Sequence, residues 1–319
     1  MIAELRCAAT APRHGSRRHF ILTGIGDDCA VLRLPPGHEI LVTTDFSLEG
    51  LHFRRDWHRP ESIGHRCLAR GLSDIAAMGG QPFAVFLSLA LPSRLAQAWV
   101  RRFTAGLLEL AERYRVPLAG GDTAQSPSGI LADIVVVGSV PKRRAVLRSG
   151  ARPGDRIFVS GELGGSAAAI LEMKKGSRLG VERSSYDRHF FPEPRVGLGQ
   201  ALRKRGLASA MIDTSDGLST DLSHLCEESG VGAELFAHGI PRAHVGKGKL
   251  PVHLDLALHG GEDYELLFTV RPGRVVPKRI AGIPLTEIGR ITRRQTMLLR
   301  SGDTTVQRLV PHGWQHFRR

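Results

Sequence analysis

Carboxylates flanked by glycine punctuate this chain, and they limit how long any one element can run. They stand at Gly24-Ile25-Gly26-Asp27-Asp28, Thr43-Thr44-Asp45, Ser73-Asp74, Gly120-Gly121-Asp122, Asp213-Thr214-Ser215-Asp216-Gly217 and Gly260-Gly261-Glu262-Asp263. Most fall at turns or at the ends of apolar runs, and none belongs to the repeating polar face of a long helix. With 37 glycines in 319 residues, the chain must turn often. A mixed α+β fold suits that pattern better than a helical bundle. The net charge is +13, so acids gathered at turns stand out. Their grouping points to divalent cations held by oxygen, and Mg²⁺ held that way usually accompanies phosphates.

The length allows two domains. The basic residues come as scattered pairs and triplets such as Arg17-Arg18, Arg54-Arg55, Lys142-Arg143-Arg144 and Arg203-Lys204-Arg205, and only 3 Tyr and 3 Trp are available to stack on bases. That argues against nucleic acid as a partner and for a solvated surface that attracts anionic metabolites. Cys7, Cys29, Cys67 and Cys226 form no CxxC pair, which excludes a zinc ribbon and gives no disulfide framework. They are expected to be reduced and mostly buried, Cys29 as a small side chain in a tight turn. No apolar run is long enough to span a membrane, and Glu4 and Arg6 interrupt any signal-like start. The expectation is a soluble, cytoplasmic protein.

Periodicity predicts the elements. Residues 1–20 read as an irregular lead-in, and Glu39–Asp45 as a buried strand ending on a carboxylate. Ile63–Met78 reads as a helix with Ile63, Cys67, Leu68, Leu72, Ile75 and Met78 on one side, stopped by Gly79-Gly80. A strand over Phe83–Leu91, a helix with the seam Leu95, Trp99, Phe103, Leu107, Leu110 and Tyr114, and a strand over Ile130–Val140 follow. Pro141–Asp155 reads as the domain boundary. Beyond it come a strand at Arg156–Ser160, a helix opened by Gly164-Gly165-Ser166, helices at Leu198–Arg205 and after Asp216, and a strand at Tyr264–Val270. Each half thus carries a Gly-Gly-acid turn close before a strand, suggesting two similar α+β halves.

The acids differ in what they imply. Asp27-Asp28 can bridge a cation or merely cap a turn. Asp74 falls inside a helix, where aspartate has poor propensity and no capping role. Asp213 and Asp216 precede a helix, where one acid suffices as N-cap but the segment supplies several. A helix start also offers N–H groups to phosphate. There is no P-loop, no kinase HRD or DFG, no nucleophile elbow and no HExxH. Metal-assisted phosphoryl transfer is the most natural remaining class.

Seven segments then occur in order: Gly24–Leu32 (GIGDDCAVL), Thr43–Phe53 (TTDFSLEGLHF), Leu72–Pro82 (LSDIAAMGGQP), Gly120–Thr123 (GGDT), Arg148–Asp155 (RSGARPGD), Ile212–Leu222 (IDTSDGLSTDL) and Gly260–Leu267 (GGEDYELL). Together they resemble the thiamine-monophosphate kinases, a family of the aminoimidazole-ribonucleotide synthetase-like superfamily. The resemblance implies a two-domain, PurM-like α+β architecture. Residues 1–145 would form an N-terminal domain for ATP and Mg²⁺ binding, its mixed sheet pairing across a homodimer. Residues 146–319 would complete the nucleotide and substrate site, with the nucleotide in a cleft between the domains. It implies ATP-dependent phosphorylation of thiamine monophosphate to the diphosphate, with several Mg²⁺ ions.

Position by position, the resemblance puts Asp27, Thr43, Thr44, Asp45, Asp74, Asp122, Asp213 and Asp216 at metal positions. It puts Tyr114, Gly121, Asp122, Arg148 and Ser215 at nucleotide contacts, and His52, Glu262 and Trp314 at substrate contacts. The nucleophile would be a phosphate oxygen already ionised at neutral pH, so no catalytic base is expected. The barrier is the approach of two anionic phosphates, which cations relieve. Rival expectations are another ATP-using superfamily member, such as aminoimidazole-ribonucleotide synthetase or selenophosphate synthetase, and a non-enzymatic binder of anions or nucleic acid.

Overall fold

The computed structural model describes residues 20–176, 186–246, 250–302 and 305–314; the predicted lead-in and Cys7 lie outside them almost entirely. The chain divides into two compact units, Met1–Ile75 with Gly80–Arg144, and Ala76–Gly79 with Ala145–Arg319.

The first unit carries strands β1 (Ile21–Thr23), β2 (Val31–Leu32), β3 (His38–Leu48), β4 (Gln81–Pro92), β5 (Leu118–Ser126) and β6 (Leu131–Pro141), with all but the last two residues of helix α1 (Pro60–Ala77) and with helix α2 (Gln97–Arg113). β3 to β6 form one sheet in the order β3-β6-β4-β5. β4 and β5 are parallel because α2 carries the chain back between them, whereas β3–β6 and β6–β4 are antiparallel. Ala132, Ile134 and Val136 of β6 are fully buried, as are Leu68 and Leu72 of α1 and Phe103, Leu107 and Leu110 of α2. The helices cross in backbone contact: a Cβ at Gly64 would lie 1.9 Å from the Phe103 carbonyl oxygen. On the opposite face the β1–β2 hairpin packs Ile21, Ala30 and Leu32 against Phe83, Ala84 and Val137.

β3 departs from its prediction. It is longer, Asp45 lies within it, and it is an edge strand that buries one face only: Ile40, Val42 and Phe46 are exposed while Leu41 and Ser47 are buried. An apolar run reads alike whether both faces are covered or one awaits a partner. Gly120-Gly121-Asp122 is not a turn either, since it lies inside β5.

The second unit holds β7 (Arg156–Ser160), β8 (Ala208–Asp213), β9 (Gly232–Phe236), β10 (His244–Val245), β11 (Leu250–Pro251), β12 (Leu266–Val270), β13 (Arg279–Ile280), β14 (Ile283–Thr292), β15 (Met297–Ser301) and β16 (Thr305–Arg308). Its helices are α3 (Gly165–Lys174), α4 (Asp187–Phe190), α5 (Val196–Lys204), α6 (Leu218–Ser229) and α7 (Leu254–His259). The main sheet runs β16-β15-β9-β14-β7-β12-β8, with β13 pairing β14. The two units are therefore α+β but not alike: one is built on a 4-stranded sheet, the other on an 8-stranded one. β9, β14 and β15 lay outside the predicted elements.

β12 lies between β7 and β8 with all its residues buried, and it starts two residues later than the predicted strand Tyr264–Val270. Phe158 and Phe268 stack across β7 and β12 at 5.6 Å. At the start of β12, Glu265 is 1% exposed and fully partnered: Arg195 donates to both its oxygens at 2.8 and 2.5 Å, and Ser160 Oγ donates at 2.5 Å. A buried carboxylate needs such pairing to offset its lost hydration.

Candidate functional site

In the first unit the acids converge from different elements. Alternation along β3 sends Thr43 and Asp45 to one face and Thr44 to the other. Asp74, in the last turns of α1, meets the first face: the Thr43 hydroxyl donates to its carboxylate, and the Asp45 carboxyl hydrogen-bonds it as well. Burial, then the charge of Asp74, pushes the Asp45 carboxyl up to about 7; Arg70, whose Nε is 3.8 Å from Asp45 Oδ1, opposes this, and Asp133 adds to it. Carboxyls this close must share a proton or a cation.

On the other face Thr44 Oγ1 donates to Asp133 Oδ1 at 2.7 Å. The register Asp133–Ser88–Asp122 carries the same row two strands onward, roughly 10 Å, to Asp122 on β5. Asp122 is exposed and accepts the Thr123 N–H at 2.7 Å. Asp27, also exposed, accepts the Asp28 N–H at 3.0 Å on the connection between β1 and β2. Cys29 beside it is exposed, correcting the expectation of a buried turn residue; Cys67 and Cys226 are buried. Tyr114 caps α2, and Gly121 lies on β5. His52 Nδ1 accepts the Leu48 N–H at 3.0 Å, which places the ring proton on Nε2.

In the second unit β8 ends on Asp213, and the N-cap of α6 is Gly217, so neither Asp213 nor Asp216 is the capping residue. The N–H groups there are met from within the helix: Asp221 Oδ2 accepts those of Asp216 at 3.2 Å and Gly217 at 3.0 Å. Burial, then the charges of Asp213 and Asp216, drives the Asp221 carboxyl well above its ordinary range. Glu262, at φ 64°, donates its N–H to the Ser215 carbonyl at 2.8 Å. Trp314 donates its N–H to the Asp216 carbonyl at 2.9 Å and is 44% exposed. Arg148 is exposed, and the Ser229 hydroxyl, at the end of α6, pins its loop: Ser229 donates to the Arg148 carbonyl at 2.9 Å and accepts the N–H groups of Gly150 and Ala151 at 3.1 Å.

The donor set is hard oxygen throughout. Among the described residues no group of three His, Cys, Asp or Glu side chains forms a ready-made metal cage. Mg²⁺ does not need one, because it keeps waters and completes its shell with one or two carboxylates and substrate phosphates. The Asp45–Asp74 pair and the Asp213–Asp216–Asp221 turn, each crowded with negative charge, fit such an ion. Sequence reasoning missed Asp133, Asp221 and Ser229. A lone acid inside the apolar run from Ile130 to Val140, and the third acid of the IDTSDGLSTDL segment, were the available signals; Ser229 offered none.

Residues 26–140 match the family model for AIR synthase related protein, N-terminal domain, and residues 152–298 the model for its C-terminal domain. A thiamine-monophosphate kinase of Salmonella typhimurium is 39% identical over 289 residues, 87% of this chain and 86% of that protein. The crystal structure of thiamine-monophosphate kinase from Stenotrophomonas maltophilia superposes with a TM-score of 0.79 at 35% identity, covering 93% of this chain and 94% of that one. AaThiL complexed with AMPPCP and TMP superposes at 0.76 with 34% identity, covering 89% of each chain.

Proposed function

This chain belongs to the thiamine-monophosphate kinases of the AIR synthase-related family, and from that premise we propose that it transfers the terminal phosphoryl group of ATP to thiamine monophosphate, releasing ADP and thiamine diphosphate. The observation that carries the reading is the likeness to curated kinases across nearly the whole chain, at 39% identity in one. It agrees with the carboxylate pair and the acidic helix start, which suit a reaction limited by phosphate repulsion.

Several Mg²⁺ ions held by Asp27, Thr43, Thr44, Asp45, Asp74, Asp122, Asp213 and Asp216 would neutralise the phosphates and orient the leaving group. Tyr114, Gly121, Asp122, Arg148 and Ser215 serve the nucleotide. Arg148 contributes a permanent charge to the phosphates, and the Ser229 clamp sets where its backbone stands. His52, Glu262 and Trp314 serve the thiamine end: the His52 Nε2–H donates, Glu262 faces positive charge, and Trp314 offers a ring face to the cationic heterocycle. No side chain removes a proton, because the attacking phosphate oxygen is already ionised.

The first unit takes the larger share of the metal positions and the second completes the nucleotide and substrate contacts. The exposed apolar row of β3 (Ile40, Val42 and Phe46) is the face we assign to a second copy of the chain, giving a homodimer. Among the described residues no helix is long and apolar enough to cross a membrane, and we place the protein in the cytoplasm. The deciding experiment is a coupled ADP-release assay with thiamine monophosphate, thiamine and the aminoimidazole-ribonucleotide precursor offered separately. Magnesium-dependent turnover with thiamine monophosphate alone is expected; turnover only with the precursor would overturn the assignment.

A further inference from the structure

The chain's last described residues, His312 to Trp314, are held against the first turn of α6 by contacts that no role assigned so far requires. The Gly313 N–H donates to Thr220 Oγ1 at 3.1 Å, and the His312 N–H to Ser219 Oγ at 3.4 Å. Ser219 Oγ is itself hydrogen-bonded to His259 Nδ1 at 2.8 Å, and the His259 and His312 rings meet edge to face at 5.4 Å. The approach at Gly313 is so close that a Cβ there would lie 2.1 Å from the Asp216 carbonyl oxygen and 2.5 Å from Thr220 Oγ1. One of those obstacles is backbone, so only glycine fits. Trp314 comes next, its N–H on that same Asp216 carbonyl.

A residue whose ring must lie against a ligand is held in two ways, by its own contacts and by the backbone that delivers it. Trp314 is 44% exposed, so part of the residue is within reach of a ligand. Its backbone position is set by Gly313 and Thr220 one residue back. We infer that Thr220 is a positioning residue for the thiamine end of the substrate: its hydroxyl fixes Gly313 and so aims Trp314, while it touches neither phosphate nor substrate. This rests on the substrate role proposed for Trp314. Replacing the hydroxyl removes the acceptor of the buried Gly313 N–H and releases the strap.

Loss of the hydroxyl weakens recognition of thiamine monophosphate and leaves ATP recognition alone. The test uses the full-length chain with Thr220→Val, Thr220→Ser, Trp314→Ala and the double variant Thr220→Val/Trp314→Ala. For Thr220→Val the KM for thiamine monophosphate should rise about tenfold, with kcat and the KM for ATP within about twofold. Thr220→Ser should restore it, and in the Trp314→Ala background Thr220→Val should add nothing. Hydrogen exchange at the Gly313 and Trp314 amides, read without substrate, should quicken about tenfold in Thr220→Val only.

An unchanged KM for thiamine monophosphate, an equal rise in the KM for ATP, or effects that add in the double variant would overturn the inference. Unchanged exchange would overturn it even if the kinetics moved. Failure of the wild-type chain to turn over thiamine monophosphate would refute the functional reading instead, and the exchange measurement would still decide whether Thr220 holds the strap.

Discussion

Asp45 and Asp74 hydrogen-bond each other although one comes from a strand and the other from a helix, and Thr43 donates to the same Asp74 carboxylate. Two carboxyls can do this only with a shared proton or with a cation in its place. Burial, then the charge of Asp74, pushes the Asp45 carboxyl up to about 7, and the hydrogen bond to Asp74 adds to this. The pair is thus a site whose electrostatics are incomplete in the protein alone.

Asn at position 45 keeps the shape and the hydrogen bond but cannot supply negative charge. Asp45→Asn should therefore lower kcat at least about 100-fold, some 2.7 kcal/mol of transition-state stabilisation, while thermal unfolding stays within a few degrees of wild type. Steady-state assay and calorimetry check this together. Near-normal turnover would remove the metal role of Asp45.

Ser229 acts at the other end of the chemistry. Its hydroxyl joins Arg148, Gly150 and Ala151 through one oxygen. Ser229→Ala loosens the Arg148 loop, and at about 1 kcal/mol per hydrogen bond the KM for ATP should rise roughly three- to tenfold. The KM for thiamine monophosphate should hold steady. A change confined to thiamine monophosphate would show that the clamp serves another function.

Asp263 ties stability to pH. Its carboxylate accepts the N–H groups of Gly164 at 2.6 Å and Ser166 at 3.3 Å, at the start of α3. Burial nonetheless pushes its carboxyl up to about 7, with those N–H groups pulling it back. Unfolded, it titrates near 3.8. Between about pH 4 and 7 the unfolded chain has released this proton while the folded chain still holds it, so stability falls as pH rises through that window. Asp263→Asn keeps an acceptor and never ionises, so this part of the slope should vanish. The gain over wild type at pH 8 should be on the order of 4 kcal/mol, a shift of several degrees in Tm. Identical Tm-versus-pH curves for the two proteins would contradict it.

The exposed row on β3 makes a prediction about mass. Ile40, Val42 and Phe46 line one face of an edge strand, and Val42 is 65% exposed. Val42→Asp should convert a dimer into a monomer by light scattering at micromolar concentration, with the first unit still folded by circular dichroism. A wild-type chain that is monomeric under the same conditions would refute the pairing.

Local pattern determined much of this protein. The spacing of Ile63, Cys67, Leu68, Leu72 and Ile75 located α1, the seam through Phe103, Leu107 and Leu110 located α2, and the ordered acidic segments indicated the family. These features depend on neighbours a few residues apart, and local spacing encodes them directly. β9, β14 and β15 escaped because charged residues and glycine (Glu234, Glu287, Gly289, Arg290 and Arg300) interrupt their apolar residues, which leaves little periodicity to read.

What only the tertiary structure decided is which groups share a space. Asp133 adds to the charge around Asp45 because β6 pairs with β3, 88 positions away in sequence. Asp221 caps the turn that Asp213 and Asp216 were candidates to cap, and Thr220 holds Gly313 from the far end of the chain. Strand register and helix crossing set such distances, and both depend on packing free energy summed over the whole unit. No window of sequence contains that sum, so the acids could be read in advance while their partners could not.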